Sequence, residues 1–295
     1  MKPLRIALLQ TAFEPGPEAM IRKFRRFARE AVSRLKADLI CLPEFSLSPY
    51  FALRPSGAAN DDFLETVSGG PTGSLCAEIA RELGVHVIGS LYEQGEDRRR
   101  FDTSVLYDRV GTLAGMCRKQ HIPDDIGYYE RDYFGPADGE YPVFALGEQV
   151  QIAVPTCYDQ WFPELARIHA LKGAELIVYP TAIGSEPSAP EVDSQEAWIT
   201  VNRANAITNG IFVAAINRVG SEQGTTFYGS SLIIAPGGEV LAQGSRDREE
   251  IVVADLDPAA LLAWRRLFPL LHRREPATYT ALCDPALPRF AEEGR

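Results

Sequence analysis

The sequence predicts an α/β protein whose sheets are covered by helices on their outer faces, and three observations carry that prediction. Short apolar runs alternate with amphipathic stretches along the whole chain. The alternation is repeated in both halves. No linker or shift in composition separates those halves, so residues 1–295 read as a single domain with internal pseudo-symmetry of pattern. The pattern by itself fits a two-sheet sandwich and a single doubly wound sheet equally well.

LRIALLQ (4–10) is an apolar strand, followed by a helical stretch over 17–35. DLICLPE (38–44) is a second strand ending on an acidic residue. The Pro-, Gly- and Ser-rich segment 46–73 has no strong period and reads as a long surface loop, a length at which loops often serve as lids or binding loops. A helix over 74–84 and a strand over 85–93 follow, and FDTSVLYD and TLAGMCRK flank Arg109–Gly111 as a hairpin does. In the second half YPVFAL and QIAVPT are strands, PELARIHALKG a helix and AELIVYPTA a buried strand. SQEAWITVNRANAITNG is helical, IFVAAINRVG and SSLIIAPGGEVL return to strand character, and EIVVADLD precedes a short helix over 258–267.

Composition removes several function classes. A net charge of −10 argues against a nucleic-acid partner, because affinity for phosphate backbones rests on clustered Lys and Arg. The basic group Arg22, Lys23, Arg25 and Arg26 sits at helical spacing beside Met20, Ile21, Phe24 and Phe27, which makes it the wet face of an amphipathic helix. No apolar run approaches the roughly 20 residues of a membrane span. The N-terminal MKPLRIALLQT turns polar too soon for a signal peptide and reads better as a first strand. Five scattered cysteines without CxxC spacing favour free thiols in a reducing compartment, so the cytoplasm is the expected location.

Three expected strand ends carry reactive side chains: Glu44, Lys119 and Cys157. Ligands of α/β proteins bind outside the carboxyl ends of strands, so the three can converge on one crevice. Singly each has a bland explanation, as a loop cap, a solvated strand end and a small core residue. Together they are a set for acyl transfer without histidine: the carboxylate accepts the thiol proton, and the ammonium favours the thiolate and stabilises an oxyanion. A helix beginning just after Cys157 is expected to add N–H donors and a positive dipole end. No GxSxG supports a Ser-His-Asp site, and no His pair at ligand spacing supports a metal site.

With Glu44 in LPE, Lys119 in RKQHIPD and Cys157 in CYDQWFPE, nearly the whole chain resembles the nitrilase superfamily of carbon–nitrogen hydrolases. The resemblance implies a four-layer αββα sandwich, a Glu-Lys-Cys triad, no cofactor or metal, and a homo-oligomer formed by face-to-face association. It also implies a supporting role for Glu130, in GYYERDYFGP, and an oxyanion donor in the backbone N–H of Tyr158.

Relatives acting on carboxylate-bearing substrates often place arginine three or four residues after the cysteine, where a guanidinium binds a carboxylate through two hydrogen bonds. Here Gln160 and Trp161 stand there, and an alkylammonium can rest on an aromatic face. HIPDDIGYYERDYFGP, CYDQWFPELAR and YPTAIGSEP look most like the N-carbamoylputrescine amidase branch, which implies hydrolysis of a small carbamoyl amine to putrescine, carbon dioxide and ammonia in polyamine synthesis. Tyr50, Trp161 and Glu186 are the candidate substrate-binding residues, and Asp159 belongs to the scaffold. An ω-amidase or β-ureidopropionase type of activity is the alternative, and a non-catalytic protein on the same fold a further one. The chain departs from its relatives at Val154-Pro155-Thr156, at Tyr158 where a tryptophan is common, and in the GPADGE loop. Pro155 is unexpected in a central strand, because proline has no N–H for the ladder.

Overall fold

The computed structural model describes residues 2–56 and 61–285. The first half comprises β1 (Leu4–Gln10), α1 (Pro17–Ser33), β2 (Leu39–Cys41), α2 (Pro71–Leu83), β3 (His86–Gln94), β4 (Arg100–Tyr107) and β5 (Leu113–Arg118). The second half runs through β6 (Phe144–Leu146), β7 (Val150–Ala153), α3 (Pro163–Leu171), β8 (Leu176–Pro180), α4 (Gln195–Asn209) and β9 (Phe212–Ile216). It continues with β10 (Val219–Glu222), β11 (Thr225–Tyr228), β12 (Leu232–Ile234), β13 (Val240–Gln243), β14 (Glu250–Leu256) and α5 (Pro258–Leu267).

Two six-stranded sheets form, in the orders β14-β1-β2-β3-β4-β5 and β6-β7-β8-β9-β12-β13, and β10 pairs with β11 in a separate hairpin. Taken in these orders, both sheets pair antiparallel, parallel, parallel, antiparallel, antiparallel. The pseudo-symmetry seen in the sequence is therefore a repeat of strand order. Each parallel pair needs a crossover, and α1, α2, α3 and α4 supply the four.

Side-chain alternation builds the layers. Leu4, Ile6 and Leu8 of β1 join Ile152 of β7 and Leu176 and Val178 of β8 in one apolar cluster between the sheets. The intervening Ala7 and Leu9 turn outward and pack with Phe24 and Ala28 of α1 and Ile79 of α2. On the other sheet Ile177 and Tyr179 pack outward against Leu165 of α3 and Trp198 of α4. Strands covered on both faces are why the sequence shows continuous apolar runs. The fold is a four-layer αββα sandwich.

Several boundaries differ from expectation for identifiable reasons. The strand predicted over 38–44 pairs only at Leu39–Cys41, and Pro43, lacking an N–H, leads the chain out of the ladder before Glu44. β7 likewise ends at Ala153, so Pro155 lies beyond the ladder and removes no hydrogen bond from it. The stretches 211–220 and 230–241 each hold two strands, β9 with β10 and β12 with β13.

Segment 46–73 is not simply a surface loop, and its residues 57–60 lie outside those described. Its start is core: Tyr50, Phe51 and Leu53 are buried with Phe45, Tyr92, Tyr133, Phe134 and Phe227 in a largely aromatic cluster. Its end belongs to α2, which begins at Pro71. The basic face of α1 also needs correction. Arg22 and Arg26 are exposed, but Lys23 is buried, donating to the Ala12 carbonyl at 2.8 Å and meeting Glu14 at 2.7 Å and Glu249 at 2.5 Å. No helix among the described residues is long and apolar enough to cross a membrane.

Candidate active site

Glu44, Lys119 and Cys157 lie just beyond the carboxyl ends of β2, β5 and β7. The turn carrying Glu44 is tight, with Phe45 at φ 47°, a left-handed conformation that an aromatic residue rarely adopts. A buried guanidinium holds it. Arg218 donates to the carbonyls of Glu44 (3.0 Å), Phe45 (2.6 Å) and Ser48 (2.6 Å) and pairs with Glu222 at 2.7 Å. Glu222 in turn accepts from the Tyr50 N–H at 2.8 Å, so one ion pair fixes both ends of the turn.

Cys157 opens a 3-10 turn, Cys157–Trp161, with its own φ at 39°. A non-glycine residue held there costs about 1–3 kcal/mol, which surrounding contacts must offset. Thr156 Oγ1 meets Ser104 Oγ of β4 at 2.8 Å, across the interface between the sheets. Asp159 accepts from the His121 N–H at 2.9 Å and contacts His121 Nδ1 at 2.8 Å, which ties the Cys157 turn to the segment that follows Lys119. α3 begins only at Pro163, so the helix dipole expected directly behind the thiol is not there. The N–H groups of the 3-10 turn, Tyr158 included, are the local donors: the first N–H groups of a turn have no partner inside it.

Lys119 is the hub. Its Nζ donates to Glu44 Oε1 at 2.9 Å and Glu130 Oε2 at 2.7 Å, and lies 3.2 Å from Asp102 Oδ2. All four side chains are buried. Glu130 also accepts from the Tyr50 hydroxyl at 2.5 Å, so both of its oxygens are engaged. Burial works against the Lys119 ammonium, but the neighbouring carboxyls, Glu130 first and Glu44 next, outweigh it and hold the amine charged well above the ordinary lysine range. Burial pushes the Glu130 carboxyl up against the pull of Lys119. The Cys157 thiol is also pushed well up, by burial first and by Glu44 next; Lys119 and a hydrogen bond from the Ala182 backbone pull the other way without prevailing. Burial and Glu44 therefore favour the thiol over the thiolate.

A cavity of about 240 Å³ opens onto Cys157. Tyr50, Glu130, Tyr158, Trp161 and Glu186 line it; Lys119 reaches it through its bond to Glu130, and Glu44 stands behind Lys119. Gln160 is the exception to the substrate argument. It is fully buried and points away from the cavity, its Oε1 accepting from Trp198 Nε1 at 2.6 Å and Asn202 Nδ2 at 2.9 Å of α4. Trp161, its neighbour, does face the cavity. Sequence reasoning passed over Asp102, Arg218, Tyr128 and Asp125. The last two line the cavity, Tyr128 adding an aromatic ring to Trp161 and Asp125 adding an acid to Glu186 and Glu130. No Lys or Arg is among the lining residues described.

Comparison with known proteins agrees with this geometry. Residues 5–266 match the carbon–nitrogen hydrolase family. The chain is 34% identical over 288 residues to the N-carbamoylputrescine amidase of Arabidopsis thaliana, covering 94% of each chain. It is 32% identical over 283 residues to the citrullinase of Francisella tularensis, covering 95% of this chain and 98% of that one. The crystal structure of a carbon–nitrogen hydrolase from Helicobacter pylori G27 superposes with a TM-score of 0.87 at 32% identity, over 95% of this chain and 98% of that one. A buried carboxylate, ammonium and thiol at three strand ends of an αββα sandwich thus coincide with family-wide similarity: the chain is a member of the carbon–nitrogen hydrolase family, the nitrilase superfamily.

Proposed function

We propose that the protein hydrolyses N-carbamoylputrescine to putrescine, carbon dioxide and ammonia through a thioester on Cys157. The observation that carries the substrate is the cavity wall: aromatic Tyr128 and Trp161, acidic Asp125 and Glu186, and no lysine or arginine among the described lining residues. A terminal ammonium finds opposite charge and aromatic faces there, whereas a carboxylate finds no partner. The likeness to an N-carbamoylputrescine amidase supports the same substrate.

Burial favours the protonated thiol, so the Cys157 proton leaves as the sulfur attacks, and Glu44 is the acceptor. The S–C bond forms at the ureido carbonyl, and its oxygen becomes an oxyanion met by the Lys119 ammonium and the Tyr158 N–H. Glu130, held by Tyr50 and Lys119, orients that ammonium. Protonated Glu44 returns its proton to the departing nitrogen, the C–N bond breaks, and ammonia leaves a carbamoyl thioester. Water, deprotonated by Glu44, attacks the thioester; the carbamate released loses carbon dioxide and yields the amine. No step calls for a cofactor.

A second reading is kept open by the citrullinase similarity, since citrulline carries the same ureido group with an added α-carboxylate. Ammonia release from N-carbamoylputrescine, citrulline, N-carbamoyl-β-alanine and an ω-amide compares the candidates directly. N-carbamoylputrescine is expected to have the highest kcat/KM, and a preference for any carboxylate-bearing substrate overturns the assignment. Cys157→Ala should abolish turnover with the fold intact; residual ammonia release would sink the thioester route. The reading extends to a homo-oligomer, supported by Leu262, Leu267 and Phe268 standing exposed on and after α5, and light scattering tests it.

A further inference from the structure

Asp102 is a fully buried carboxyl on β4 that the proposed reaction leaves without a task. Its Oδ2 lies 3.2 Å from Lys119 Nζ, and its Oδ1 accepts from Ser90 Oγ at 3.3 Å. Lys119 therefore faces three carboxyls, and among the described residues no second cation forms an ion pair with any of them. Three carboxylates on one ammonium in a buried site would leave two negative charges without compensation, which buried sites do not sustain.

The hydrogen bonds say which carboxyl is neutral. Both oxygens of Glu130 already accept, from Lys119 and Tyr50. Lys119 Nζ lies 2.9 Å from Glu44 and 2.7 Å from Glu130 but 3.2 Å from Asp102, the longest of its three contacts. Glu44 Oε2 and Asp102 Oδ2 are both buried without a hydrogen-bond partner. Glu44 and Asp102 both converge on Lys119 Nζ, at 2.9 and 3.2 Å, which brings the two carboxyls together and raises the proton affinity of Asp102. Two carboxylates have no donor between them, and a proton on one would give a donor to this unpartnered pair of oxygens.

We propose that Asp102 is a positioning residue that stays protonated in the working enzyme and donates its O–H to Glu44, fixing the carboxylate that takes the Cys157 proton. The inference rests on the reading of Glu44 as the acid–base group. The groups facing Asp102 are Glu44 from the turn after β2, Ser90 from β3, Cys117 and Lys119 from β5 and its end, and Glu130 from the turn beyond. Lys119 is the one positive group in this set. Burial pushes the Asp102 carboxyl well up and Glu44 adds to the rise, while the pull of Lys119 is too weak to reverse it.

Asp102→Asn keeps an N–H donor for Glu44 but cannot ionise; Asp102→Ala removes the donor. Ammonia release on the best substrate of the unmodified enzyme should stay within about threefold for D102N and fall at least tenfold for D102A. Loss of activity in D102N as deep as in D102A overturns the proposal. Melting curves need no substrate and so remain decisive if the substrate assignment is wrong. A carboxyl raised above its unfolded value, about 3.9, gives stability that is complete below that value and lost as pH rises through the folded one. The melting temperature of D102N should therefore gain on that of the unmodified protein between pH 5 and 7.5. The opposite trend, with the unmodified protein gaining as pH rises, would mean an ionised Asp102 and refute the proposal whatever the kinetics show.

Discussion

Replacing Lys119 by methionine keeps the length of the side chain and removes the one charge that holds the carboxyl cluster together. Nζ makes hydrogen bonds of 2.9 Å to Glu44 and 2.7 Å to Glu130. Removing one partner of a buried ion pair costs about 3–5 kcal/mol, because the other partner stays buried and uncompensated. Two hydrogen-bonded carboxylates are stranded here, which favours the upper part of that range. At about 2–4 °C per kcal/mol for a chain of this class, the melting temperature should fall by roughly 10–15 °C near neutral pH. The loss should shrink on acidification. Lys119 now draws Glu130 down against burial, and without it the Glu130 carboxyl rises further above its unfolded value. Stability from such a group is complete below the unfolded value, about 4.3, and is lost as pH rises through the folded one, so K119M should recover towards the unmodified protein between pH 8 and 5. Calorimetry across that range measures the gap, and ammonia release at pH 7.5 should drop roughly a hundredfold or more with the loss of an oxyanion donor. A melting temperature within about 2 °C of the unmodified protein at pH 8, or a gap that widens on acidification, would refute the description of Lys119 as the electrostatic hub.

Gln160→Ala should lower stability by about 2–3 kcal/mol, since the Trp198 and Asn202 donors lose their acceptor, with KM unchanged in the material that remains folded. A shifted KM with an unchanged melting curve would instead put Gln160 in the substrate cavity. Glu186→Gln should raise KM for N-carbamoylputrescine by about three- to tenfold, leave kcat close to unchanged, and have little effect on a neutral amide. Equal effects on charged and neutral substrates would remove Glu186 from ammonium recognition.

The sequence made the strands legible where both faces are buried, because β8 shows as an unbroken apolar run and β1 as one broken only by Arg5 before its terminal Gln10. It did not separate two sheets from one, since strand-helix alternation is the same in either case and the distinction lies in which strands share a ladder. Glu44, Lys119 and Cys157 were legible because each follows an apolar run directly or past a proline. Asp102 was not, since in FDTSVLYD it occupies an ordinary polar position of a hairpin strand. Arg218 was hidden inside IFVAAINRVG, a run that proves to be two strands with the arginine at the joint. Gln160 was misjudged because a 3-10 turn points successive side chains in divergent directions, so Trp161 enters the cavity while its neighbour enters the core.

Phe45 and Cys157 share a left-handed backbone that neither residue type prefers, and both adjoin the groups proposed to exchange a proton. Position 157 is one where glycine would fit the chain better than cysteine does. Thermal endurance and reactivity thus ask for different residues at one site. A screen that rewards endurance alone should drift towards glycine at 157 and enrich inert proteins, so any search for hardier variants of this enzyme has to select for turnover at every round.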